Sequence, residues 1–160
     1  MIKAVVITLS DKGSKGLMVD ESGPLAMEIL ATVGACVIHH EIIPDELEIL
    51  KERLIRYSAS ADLIITNGST GLSPRDIAPE ATAAVIERQV PGIAEAMRVR
   101  GMKSTNRAML SRGLAGTRGK CLIINLPGSP KAVREAFEAI IEVIPHAVSK
   151  IKGSEEDCAR

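Results

Sequence analysis

Three short runs, residues 3–9 (KAVVITL), 62–67 (DLIITN) and 120–126 (KCLIINL), are nearly unbroken stretches of apolar, largely β-branched residues. A strand with one face in solvent alternates; a strand that does not alternate has both faces covered, as at the centre of a parallel sheet. Residues Ala35–Ile43 (ACVIHHEII) show more alternation and are expected nearer an edge. Helical patterns lie between the strands at 23–33, 46–58, 79–87 and 130 to about 152, with Pro145 expected to kink or divide the last. Strand and helix therefore alternate, which predicts a mostly parallel sheet with helices on both faces. Residues 91–118 are less regular, with helical patterns at 92–100 and around 105–113. No repeat or composition break divides the chain, so residues 1–152 read as one domain and 153–160 as a frayed tail.

A chain of 160 residues is long enough to bury a real core. Its 20 basic and 20 acidic residues cancel, which argues against a protein built to grip a nucleic-acid backbone. Tyr57 and Phe137 are the only aromatic residues among Phe, Tyr and Trp, so there is no stacking platform for single-stranded bases. A bound nucleotide must be held by backbone groups, small polar side chains and aliphatic contacts. Cys36, Cys121 and Cys158 show no ligand spacing and read as free, mostly buried thiols. The amino terminus enters a strand pattern at once, and no apolar run approaches the roughly 20 residues needed to cross a bilayer. A cytoplasmic protein with no membrane or nucleic-acid partner is expected.

Polar residues collect where strands end. Thr8, Ser10 and Asp11 follow the first run, and Pro44 and Asp45 follow the strand at 35–43. The run at 62–67 ends in Thr66 and Asn67, followed by Gly68, Ser69, Thr70 and Gly71, then by Ser73, Pro74, Arg75 and Asp76. The last run leads through Asn125 into Pro127, Gly128, Ser129 and Pro130. Open α/β sheets bind ligands at the carboxyl ends of their strands, so a site is expected here. Glycines at 68 and 71 let backbone N–H groups approach phosphate oxygens, with the Ser69 and Thr70 hydroxyls as further donors. The loop lacks the Lys of a P-loop and the spacing of a dinucleotide fingerprint.

Several of these residues have a plainer role open to them. Asp45 could cap the helix at 46–58 with Glu48 bonding back; Asp76 could cap a helix or pair with Arg75. Ser129 before Pro130 is a helix-start signal. His39 and His40 fall on opposite faces of a strand and, like His146, read as packing or surface residues. Met18, Met27, Met97, Met102 and Met109 read as core filler.

Taken together, these residues resemble the molybdopterin adenylyltransferase family, which includes the G domain of gephyrin. Four blocks carry the resemblance: Leu9-Ser10-Asp11 with Asp20-Glu21-Ser22-Gly23-Pro24; Ile43-Pro44-Asp45; Thr66 to Asp76 with Pro79-Glu80-Ala81-Thr82; and Ala108-Met109-Leu110-Ser111-Arg112 through Leu126-Pro127-Gly128-Ser129-Pro130. Two small departures stand in the loop: Ser69 where the family usually has glycine, and Asn67 where it has Thr, Ser or Gly. The resemblance implies a three-layer α/β/α fold, a homotrimer, and transfer of AMP from ATP to the terminal phosphate of molybdopterin with release of pyrophosphate. It also implies hand-off of the product to a molybdenum-insertion protein. It matches the family's two important aspartates to Asp45 and Asp76, and its nucleotide loop to Thr66, Asn67, Gly68, Ser69, Thr70 and Gly71, with Ser10 and Asp11 beside them. Ser111, Arg112, Pro127, Gly128 and Ser129 are matched to the pterin and its phosphate. Mg²⁺ is expected on Asp45 and Asp76, with Arg75 or Arg112 adding fixed positive charge. A binding protein of the same fold without catalysis is the alternative.

Overall fold

The computed structural model describes residues 1–155; Cys158 and most of the expected tail lie outside the described residues. Strands β1 (Ile2–Leu9), β2 (Ala35–Ile43), β3 (Leu63–Asn67) and β6 (Cys121–Leu126) run parallel in the order β2-β1-β3-β6. Two short strands, β4 (Arg88–Gln89) and β5 (Ala115–Arg118), continue the sheet antiparallel beyond β6. Every residue of β3 and β6 is buried, as their unbroken apolar runs demand, whereas β2 sits at the edge and is largely half-exposed.

Helices cover both faces. On one, α2 (Ser22–Ala31), α5 (Pro91–Met102), α6 (Pro130–Ile140) and α7 (Ile144–Ile151) pack Leu30, Met97, Phe137 and Val148 onto Val6, Ile65 and Ile124. On the other, α3 (Leu47–Ser58) and α4 (Ala78–Val85) pack Leu50, Leu54 and Val85 onto Ile7, Ile64 and Ile123. Each wholly buried aliphatic side chain contributes roughly 1.5–3 kcal/mol. The result is the expected three-layer α/β/α arrangement. A single helical turn, α1 (Asp11–Ser14), follows β1 directly.

The antiparallel pair lies in the stretch that gave no strand signal. Two and four residues are too few to show a period, and Gly116 interrupts the second. That glycine is required by close approach: a Cβ there would lie 2.6 Å from Ile86 Cδ1 and 2.7 Å from the Arg88 carbonyl oxygen. The long carboxyl-terminal helix is divided as expected, by a 3₁₀ turn at Ile141–Val143 with Pro145 in the first turn of α7. The methionines correct the sequence reading. Met97 is in the core and Met27 packs against it, but Met18, Met102 and Met109 are exposed, in a loop, at a helix end and in a 3₁₀ turn. Cys36 is also exposed, on the edge strand; Cys121 is buried, and burial pushes its thiol up to about 12, leaving it inert at neutral pH.

Strand order positions the site. From β1 the chain moves through α2 on one face of the sheet; from the adjacent β3 it moves to α4 on the other. The two outgoing loops diverge, which opens a crevice at the carboxyl ends of β1 and β3.

Candidate functional site

Two cavities open on this rim. The larger, about 660 Å³, lies at the β1/β3 switch point and takes wall from Ser10, Asp11, Asp45, Asn67, Gly68, Ser69, Asp76 and Gly128. The smaller, about 290 Å³, is mainly apolar; Ala94, Met97 and Ala136 line it, together with Thr70, Gly71, Ser111 and Pro127. The loop at 67–71 and the turn at 127–128 each supply residues to both cavities, so the two share a partition. Thr66, Arg75, Arg112 and Ser129 line neither.

The partition is built from tight backbone contacts. Gly68 has φ +95°, and a Cβ there would lie 2.8 Å from the Leu9 carbonyl oxygen; Gly128 packs against it. Ser69 is also left-handed, at φ 59°, and its Oγ accepts from Ile77 N at 2.8 Å, which holds the start of α4 against the loop. The Gly68 N–H is already spent on the Leu126 carbonyl at 3.0 Å. The N–H groups of Ser69, Thr70 and Gly71 make no hydrogen bond among the described residues, so they are the donors the loop offers. Thr66 stands behind the loop: it is buried, and its hydroxyl accepts from Asn125 Nδ2 at 2.9 Å while the same amide donates to Thr82 at 2.8 Å.

The two aspartates matched to the family flank the larger cavity, and neither caps a helix through its side chain. α3 begins at Leu47, behind Glu46, and α4 behind Ile77. Asp45 instead exchanges hydrogen bonds with Asp11: Asp11 N donates to Asp45 Oδ2 and Asp45 N to Asp11 Oδ1, both at 3.0 Å. Burial pushes the Asp45 carboxyl above the ordinary carboxylate value, with the Asp11 and Asp76 charges adding to it; hydrogen bonds from Ser69 and Asp11 oppose the shift. Asp76 accepts from Ser73 N at 2.9 Å and does not pair with Arg75.

Both arginines expected to meet phosphate are engaged within the protein. Arg75 forms a two-pronged pair with Asp11 at 3.0 and 2.8 Å and reaches Glu46 at 3.0 Å, which holds the Asp11 carboxyl below its usual range. Arg112 donates to the carbonyls of Gly71, at 2.7 Å, and Asp76, at 2.9 Å, and pairs with Glu80. It therefore ties the two ends of the loop that carries Asp76. Arg98 supports the same segment by donating to the Ser111 and Gly113 carbonyls at 3.3 and 3.2 Å. Ser129 caps α6 through Ala132 N, its plainer reading, and Ser10 caps α1 through Gly13 N.

Asp20 has no role in the sequence reading, yet it lines the larger cavity and is almost wholly buried. Its Oδ2 accepts from the Thr8 hydroxyl at 2.7 Å and lies 3.1 Å from His40 Nε2, and its Oδ1 accepts from Gly23 N at 2.9 Å. An acid three positions before a helix-opening glycine was the available signal; the histidine that meets it comes from the neighbouring strand. His39 lies on the opposite face near Tyr57, with ring centroids 5.0 Å apart.

The charge of the larger cavity limits its occupants. Asp11, Asp20, Glu21, Asp45 and Asp76 line it against a single cation, Lys12. Among the described residues no cluster of three His, Cys, Asp or Glu side chains is arranged to hold a metal ion. Two carboxylates, Asp45 and Asp76, suit a hard divalent ion that completes its shell with oxygens from water or a phosphorylated ligand, the usual pattern for Mg²⁺.

A family model described as a probable molybdopterin binding domain matches residues 5–146. The chain belongs to this molybdopterin-binding domain family. It is similar to a molybdopterin adenylyltransferase of Helicobacter pylori, at 42% identity over 93% of this chain and 87% of the relative. Gephyrin of Dictyostelium discoideum is 38% identical over 91% of this chain, which spans 22% of that protein. Among solved structures, a molybdopterin biosynthesis enzyme from Thermus thermophilus superposes with a TM-score of 0.91 at 46% identity, covering 96% of this chain and 98% of that one. Among the described residues no helix is long and apolar enough to cross a membrane.

Proposed function

We infer that this molybdopterin-binding domain is a molybdopterin adenylyltransferase, with ATP in the acidic cavity and the pterin in the apolar one. The observation that carries this reading is the shared partition: one loop, 67–71, and one turn, 127–128, border two cavities of opposite character. A reaction that joins two phosphorylated substrates needs such neighbouring compartments, with the reacting phosphates meeting where they adjoin.

In the transfer, an oxygen of the terminal phosphate of molybdopterin bonds to the α-phosphorus of ATP. The bond from that phosphorus to the bridging α–β oxygen breaks, and pyrophosphate leaves with its electron pair. No protein nucleophile is required. The free N–H groups of Ser69, Thr70 and Gly71 face developing negative charge on phosphate oxygens. Arg112 holds the 71–76 loop so that Asp76 stands opposite Asp45, and Arg75 with Asp11 anchors Asp45 in turn. Ser111 and the Pro127 turn border the pterin. Mg²⁺ held by Asp45 and Asp76 would supply charge neutralisation for the triphosphate and its leaving group.

Assembly as a homotrimer, a cytoplasmic location and delivery of the product to a molybdenum-insertion protein belong to the same reading, supported by the sequence blocks shared with the adenylyltransferases. The test is direct: purified protein incubated with ATP, Mg²⁺ and molybdopterin releases pyrophosphate in step with loss of ATP. Molybdopterin binding without pyrophosphate would instead identify a binding protein of the same fold.

A further inference from the structure

Asn67, at the end of β3, is wholly buried and lines the acidic cavity, yet neither its Nδ2 nor its Oδ1 has a hydrogen-bond partner. Leaving both halves of a buried carboxamide unpaired forfeits the bonds each made to water in the unfolded chain. Such a cost is tolerated where a ligand supplies the bonds.

The neighbours define what that ligand group must offer. Thr8 lies beside Asn67 in the β1/β3 register and gives its hydroxyl proton to Asp20, so its oxygen is left to accept. The Asp20 carboxylate accepts only. A group that meets Asn67, Thr8 and Asp20 must therefore carry donors, and it must carry an acceptor for Asn67 Nδ2. Phosphate oxygens at neutral pH lack donors and would face three acceptors. A purine edge has both kinds of group, but a base docked on Asn67 would carry its phosphates a nucleoside's length away from the free N–H groups that begin two residues later. A sugar diol donates and accepts at each hydroxyl, and the ring that carries it is joined to the α-phosphate through one exocyclic carbon and its oxygen.

We propose that Asn67 is a specificity-determining residue that reads the ribose hydroxyls of the nucleotide, with Asp20 and Thr8 accepting alongside it. The proposal rests on the assignment of ATP to the acidic cavity. Nδ2 donates to one hydroxyl oxygen and Oδ1 accepts from the other hydroxyl. Loss of either bond weakens nucleotide binding by roughly tenfold.

The test compares AMP, 2′-deoxy-AMP and 3′-deoxy-AMP by titration calorimetry on wild-type protein and on Asn67→Ala and Asn67→Thr. KM for ATP and for each deoxy-ATP is measured in parallel. Wild type is expected to bind at least one deoxynucleotide about tenfold more weakly than AMP, and both variants to discriminate less sharply between AMP and that deoxynucleotide. Asn67→Thr keeps a small polar residue, so it reports on binding if the alanine variant misfolds; circular dichroism identifies that case. Equal binding of AMP and both deoxynucleotides by wild type overturns the proposal. So does a variant that discriminates as sharply as wild type, or one that raises KM for molybdopterin and leaves KM for ATP unchanged. Failure of the adenylyltransferase reading is distinct: no adenine nucleotide would bind and no pyrophosphate would form.

Discussion

Asp11 and Asp45 hold each other by exchanged backbone-to-carboxylate hydrogen bonds, both 3.0 Å long, across the ends of β1 and β2. Two acidic residues meet because each presents an N–H to the other's oxygens and because Arg75 neutralises Asp11 from outside. Their carboxyls respond in opposite directions. Arg75 and the Asp45 N–H lower Asp11, whereas burial raises Asp45.

The raised Asp45 carboxyl predicts a trade between stability and activity. A carboxyl whose folded value lies above its unfolded value contributes most stability at acid pH, and the contribution is lost as pH rises from 3.8 through the folded value. Asp45→Asn removes the buried charge and keeps an oxygen for Asp11 N. It should stabilise the protein at neutral pH, read as a raised Tm. Turnover should fall on the order of 100-fold. Calorimetric melting and pyrophosphate release measure the two effects; a lowered Tm at pH 7 would contradict the account of Asp45.

The same carboxyl sets the acid limb of the rate profile. With Asp45 needed in its ionised form to hold Mg²⁺, kcat/KM for ATP should fall as pH drops through the raised folded value of the ligand-free protein, above the ordinary 3.8. Asp11, lowered by Arg75, stays ionised over that range. In Arg75→Ala the Asp11 carboxyl loses the partner that lowers it. A pH series of kcat/KM for ATP on wild type and on Arg75→Ala reads this: wild type should show a limb above 3.8, and the variant an additional loss at acid pH.

Asp76 lines the acidic cavity and not the apolar one, so the proposed function has it act on the nucleotide and not on the pterin. Asp76→Ala should lower kcat on the order of 100-fold while molybdopterin binding, measured by fluorescence titration, changes little. Comparable losses in both would assign Asp76 elsewhere.

Arg112 works by geometry. Its guanidinium reaches the Gly71 and Asp76 carbonyls and Glu80 together, a fork that a lysine ammonium does not reproduce. Arg112→Lys should therefore lose nearly as much turnover as Arg112→Ala. If the lysine variant keeps most of the activity, Arg112 supplies charge to a phosphate and does not position the loop.

Asn125 ties three segments below the site, with Nδ2 on Thr66 and Thr82 and Oδ1 on Leu114 N. Asn125→Ala leaves those partners unpaired in the core and should cost about 2–4 kcal/mol. The loss appears as a lower denaturation midpoint, with KM for ATP near wild type in the protein that remains folded.

The central strands were legible because burial on both faces leaves nothing to alternate, and β1, β3 and β6 lie where residues 3–9, 62–67 and 120–126 place them. Strands β4 and β5 were not, since two and four residues carry no period and Gly116 answers to a contact made only after folding. The strand-end polar residues announced the rim but not their partners. Arg75 and Arg112 read as fixed charge for the phosphates, with Asp76 as a possible partner of Arg75, yet each is committed to groups far along the chain: Asp11 for one, the carbonyls of Gly71 and Asp76 for the other. Asp20 stood in one of the shared blocks without a role for the same reason, because its contacts are with Thr8 and His40, which arrive from adjacent strands. Pairings of this kind are set by topology, and local sequence does not encode them.

The most direct test of the two-cavity site is a crystal structure of the protein with α,β-methylene-ATP and Mg²⁺. The account predicts the triphosphate in the acidic cavity, its oxygens on the N–H groups of Ser69 to Gly71 and on a metal held by Asp45 and Asp76, with the α-phosphorus turned toward the Ser111 side. A nucleotide seated elsewhere on the molecule, or a metal bound away from both aspartates, would contradict it.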